Sequence, residues 1–146
     1  MSNAVYVHSF IMKSMSTEDE SWIVKTDASQ QIVFGWAGKY LDENGQPLVD
    51  LQGDEIDPGE VERASYAYML KSRESGVMHD GETCGHIVAS LVTTPEVVKA
   101  FFGPNVKLPV GWLIGVKYYD QKVFKRVVNG DLRMFSIQGR ADSVEV

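Results

Sequence analysis

Two histidines, two acids and the chain's one cysteine crowd into "VMHDGETCGHIV", and a serine stands far downstream in "MFSIQG", Met134 to Gly139. Two kinds of chemistry use such residues. A structural zinc site needs three or four ligands, normally in closely spaced pairs. His79, Cys84 and His86 do not form that pattern, and His8 is the only other histidine. The expectation is therefore no metal and no cofactor. Nucleophilic serine chemistry needs a base within hydrogen-bond reach and a group that orients the base. Ser136 lies between Phe135 and Ile137 in an apolar stretch. On a strand, those two neighbours take one face and Ser136 the other. His8, His79 and His86 are the available histidines, and sequence spacing does not say which of them meets the serine. Taken singly, each residue also has a plainer reading. A histidine at a strand end is usually a polar residue with a backbone partner, Cys84 fits a turn, and Ser136 fits a solvent-facing strand position.

The surrounding elements must position these groups. "VYVHSFIMK" and "QIVFGWAGKYL" are rich in β-branched and aromatic residues and predict strands. "SMSTEDESW" reads as a polar loop, and "DENGQPLVDLQGDEIDPGE" as a long one. A helix is expected from Pro58 to about Ser75. Asp57 is its N-cap, Glu60 completes a capping box, and Val61, Ala64 and Tyr68 share the face toward the sheet. "VMHD" reads as a short strand, "GETCG" as a turn and "HIVASLVTT" as a strand. Thr94 and Pro95 open a short helix. "GWLIGVKYY" is the most hydrophobic strand. Asp120 caps a helix with Val123, Phe124, Val127 and Val128 on its apolar stripe, ending near Gly130. "LRMFSIQGRADSVEV" is the last strand. The sum is an α+β domain with a mainly antiparallel, barrel-like sheet and a few short helices.

The 146 residues match one domain, 1–146, with a core of about 32–141. The net charge of −6 and the lack of a basic, aromatic-studded stripe argue against nucleic acid. No apolar run approaches the roughly 20 residues of a membrane span. No signal peptide is legible at the start, and one cysteine excludes an internal disulfide. A reducing, cytosolic setting without secretion is expected.

The order "IVFGWAG", "DLQGDEIDPGEVERASYAYM", "VMHDG", "GHIVAS", "LPVGWLIGVKYYD", "GDLRMFSIQGRA" resembles the XkdF-like phage serine proteases, relatives of the prohead maturation proteases. The resemblance runs from roughly Ile32 to Ala141. It implies a fold like that of the herpesvirus assembly proteases. It also implies a serine endopeptidase that cuts scaffold or capsid segments in the assembling phage prohead, within the host cytoplasm. Carried over by motif, Ser136 matches the family serine and His79 the family histidine. The third member is not assigned: only Asp142 and Glu145 are acids after Ser136, and Ala89 stands where relatives carry an acid. Asp80, His86 and Asp54 are the candidates for orienting the base. The alternative is a catalytically inactive module on the same fold that binds a phage or host protein. Self-association into a homo-oligomer is compatible with either.

Overall fold

The computed structural model describes residues 5–12, 22–48, 57–72, 74–77, 83–132 and 134–141. Seven strands and three helices alternate along these residues: β1 (Val5–Met12), β2 (Ile23–Asp27), β3 (Ile32–Leu41), α1 (Pro58–Lys71), β4 (Glu74–Val77), β5 (Gly85–Val92), α2 (Pro95–Phe102), β6 (Val110–Tyr118), α3 (Gln121–Val128) and β7 (Met134–Ala141). They form one sheet in the order β2-β3-β6-β5-β4-β1-β7. The run β2-β3-β6-β5 is antiparallel throughout. β4 continues antiparallel to β5, β1 lies parallel to β4, and β7 closes the order antiparallel to β1.

The α+β, mainly antiparallel expectation holds, but the barrel does not. β2 and β7 remain the two edges among the described residues, so the sheet is open. It curls without closing. The Phe135 ring of β7 comes within 3.0 Å of where a Cβ on Gly35 of β3 would stand. That contact brings the ends of the sheet together through packing rather than through a hydrogen-bonded ladder. Gly35 is needed there, since a side chain would also run into the Trp22 carbonyl.

The core lies on one face. β6 sends Trp112, Ile114, Val116 and Tyr118 inward, against Val33 of β3 and Ile87 of β5. These are the alternate residues of paired strands, as the pleat requires. Two helices cover this face. From α1, Tyr68 meets Trp112 edge-on with ring centroids 5.7 Å apart, and Ala64 packs beside the core. From α3, Phe124 and Val127 are buried, whereas Val128 is exposed, so its apolar stripe is narrower than the sequence implied.

Local chemistry sets the helix ends. The Asp57 carboxylate accepts from the Gly59 N–H at 3.1 Å, and Pro58 begins the helix where its missing N–H is harmless. Thr94 and Asp120 cap α2 and α3 in the same way. The far end of α1 differs from expectation. The Ser72 N–H closes the last turn on the Tyr68 carbonyl, and Glu74 already belongs to β4. Glu74 and Ser75 are therefore sheet residues rather than a helical tail, because strand pairing with β1 and β5 satisfies their backbone.

Candidate functional site

Ser136 is the third residue of β7, opposite Phe10 of β1. Its neighbour Phe135 is 1 % exposed and joins the core. Strand alternation assigns Ser136 to the opposite face from Phe135, as its sequence context predicted. The same ladder pairs His8 with Gln138.

His79, Asp80 and Asp54 lie outside the described residues. β4 stops at Val77, two residues before His79, so only the first residue of "VMHD" is described as strand. The sequence expectation set the serine strand beside the strand of His79. β4 and β7 do share the sheet, but β1 stands between them. β4 runs parallel to β1, and β7 antiparallel to it. The chain therefore leaves β4 at the end of the sheet where β7 begins, which is also the end nearer Ser136.

His86 sits on β5, between Glu74 of β4 and Lys117 of β6 in register. Its Nδ1 pairs with the Tyr119 hydroxyl, and the two rings lie 5.6 Å apart. β5 is three strands from β7. At about 4.8 Å per strand, that is roughly 14 Å across the sheet. Cys84 is half-buried against the core and its carbonyl accepts from the Tyr119 N–H at 3.1 Å. Among the described residues, no three His, Cys, Asp or Glu side chains gather where an ion could sit.

A groove of about 430 Å³ opens elsewhere, between the end of β3, α2 and the loop before β6. Leu41, Val98, Val106 and Leu108 line it, with Lys99 and Lys107 at its rim. It lies where β5 ends and β6 begins, whereas the start of β5 is level with the Ser136 half of β7. The groove and Ser136 are thus at opposite ends of the sheet. No described helix is long and apolar enough to cross a membrane.

Glu74, which the sequence reading took as a helix tail, is the first residue of β4. The signal for Glu74 was present in the Ser-Gly pair that follows it, which is poor helix sequence. No family model matches the chain, and no curated protein or solved structure matches it either.

Proposed function

We propose that the chain is a serine endopeptidase of phage capsid assembly that cuts scaffold or capsid protein segments inside the prohead, in the host cytoplasm. Ser136 Oγ attacks the peptide carbonyl, and a histidine takes its proton and returns it to the leaving amine. The resemblance gives that histidine's role to His79. The observation that carries the reading is the position of Ser136. It stands on the non-core face of an edge strand, at the end of the sheet toward which β4 leads. An edge strand offers an extended peptide backbone hydrogen bonds beside the serine.

The open edges also favour a second reading. An unclosed sheet can bind a phage or host protein by strand addition without cutting it. One experiment separates the two. The purified chain is incubated with cognate scaffold and capsid proteins, wild type beside Ser136→Ala. Cleavage by the wild type alone supports the peptidase. Stable binding without cleavage, equal in both proteins, supports the binding module.

A further inference from the structure

An apolar knob stands beside the groove between the end of β3, α2 and the loop before β6. Phe101 and Phe102 end α2 with ring centroids 6.5 Å apart, and they are 72 % and 49 % exposed. Neither ring lines the groove, whereas Val98 and the C-cap Gly103 both do. Residues three and four apart on a helix are surface neighbours, so the two rings stand at the rim that Val98 helps to build. The groove itself, about 430 Å³, has apolar walls in Leu41, Val106 and Leu108. It falls in the range of roughly 300–1,000 Å³ that holds small organic ligands, so it admits an aromatic ring. Its charges balance. Lys99 of α2 and Lys107 of the loop before β6 stand against Asp42 and Glu43 beyond the end of β3, although the whole chain carries −6. The Asp42 carboxylate accepts from the Asn44 and Gln46 N–H groups of its own turn. Lys99, Lys107 and Glu43 have no ion-pair partner among the described residues.

We propose that a second copy of this chain docks here about a two-fold axis, each copy seating its Phe101 and Phe102 rings in the groove of the other. A two-fold contact needs a surface that complements itself, and a knob beside a groove is such a surface. Charge fits the same arrangement. Lys99 lies three residues before Phe102 on the same side of α2, so it travels with the rings and meets Glu43 of the partner subunit. The rotation repeats that pair on the other side of the axis. A groove without net charge is also where two copies of an acidic chain repel each other least. An unrelated apolar partner would satisfy the rings or the groove, whereas a second copy satisfies both and pairs the free charges. The stretches 41–48 and 95–108 lie at the lower end of the roughly 20–30 residues that one side of a standard interface uses, so the dimer exchanges with monomer. The contact is at the far end of the sheet from Ser136 and stands whether or not that serine is a nucleophile.

The test is sedimentation equilibrium on the full chain. The wild type is expected to rise from 16.3 kDa toward twice that mass as its concentration increases. Phe101→Asp should weaken the association by about 10-fold or more. Circular dichroism should show its fold intact, because the ring is mostly exposed; Phe101→Ser replaces it where the aspartate does not fold. Leu70→Asp, at an 86 % exposed position of α1, should associate like wild type. Lys99→Glu and Glu43→Lys should each weaken self-association, since each sets like charges together at both contacts. Mixed in equal amounts, these two variants should form a heterodimer close to wild type in affinity, because opposite charges then meet at both contacts. A wild type that stays monomeric up to about 1 mM overturns the proposal. Wild-type association in a folded Phe101 variant overturns it too, as does a mixture of the two charge variants no more associated than either alone. An equal loss in Leu70→Asp and Phe101→Asp places the interface elsewhere and also overturns it. A monomeric wild type that binds phosphatidylcholine–phosphatidylserine vesicles, with binding lost in Phe101→Asp, overturns it and assigns the rings to a lipid surface.

Discussion

The two halves of the sheet are built differently. β3, β6 and β5 come from a middle stretch of chain and carry most of the core. Their ladders bury alternate residues under α1 and α3 and are reinforced by side chains. Trp112 donates its indole N–H to Ser90 Oγ at 2.8 Å, and the buried Thr93 hydroxyl bridges the Pro109 and Gly111 backbone. The other half, β4-β1-β7, joins the first described strand to the last. It holds Ser136, and Phe135 joins it to the core. Pairing such distant segments carries a larger loop-closure cost than pairing near ones. The comparison teaches that the described core centres on β3, β6 and β5, while Ser136 lies in the half assembled from distant segments.

The sharpest contrast between the halves is functional. Ser136→Ala is expected to reduce peptide cleavage by about 10⁴-fold or more. Its unfolding free energy should stay within about 0.5 kcal/mol of wild type, because a strand residue off the core face contributes little packing. Paired cleavage assays and urea titrations measure both quantities. Cleavage that persists in the variant would remove the nucleophile assignment.

In the core half the effect reverses. Trp112→Ala should cost about 3–5 kcal/mol, since it empties the site against Tyr68 and also leaves Ser90 without its indole donor. Phe135→Ala is expected to fall in the same range, but with a lower urea m-value if β7 and β1 detach before the rest. Equal m-values for the two variants would mean that both halves unfold as one unit.

A smaller effect follows pH. Burial pushes the Tyr40 hydroxyl up to about 12. In the unfolded chain it titrates near 10. Between these values the unfolded state binds fewer protons than the folded one, so stability falls as pH rises through this window. The loss is about 1–2 kcal/mol by pH 11.5. Tyr40→Phe should remove that part of the alkaline loss, read from denaturation midpoints at pH 9 and pH 11.5. A Tyr40→Phe profile parallel to wild type would contradict it.

Smallest is the cap. Asp57→Ala should lower stability by about 1 kcal/mol without changing the denaturant slope. Coincident midpoints for variant and wild type would mean that the Gly59 N–H finds an equivalent acceptor in water.

Much of this architecture is local in origin and could be read before any coordinates. Asp57, Thr94 and Asp120 cap their helices because a short polar side chain reaches a backbone N–H within three residues. β3, β5, β6 and β7 are strands because β-branched and aromatic residues alternate there. The placement of Ser136 on a strand, off the face of Phe135, follows from the same alternation. The errors lay where a local signal was weak. The end of α1 was set too late because Glu74 suits a helix by itself, and its pairing with His86 of β5 makes it a strand residue.

What the tertiary structure alone decided is the company each residue keeps. The order β2-β3-β6-β5-β4-β1-β7 depends on pairings between residues far apart in the chain, and no local propensity encodes them. The irregularities in register near Ala37 and Val88 likewise arise from neighbouring strands. Among the described residues β2 and β7 share no ladder, and the Phe135 ring packs near Gly35 of β3. The same dependence governs the site. A shift of one residue in the β1–β7 register would move His8 to the other face from Ser136. The sequence by itself named a serine and three histidines. Only the pairing of the strands set which residue stands opposite Ser136, and it placed Phe10 there.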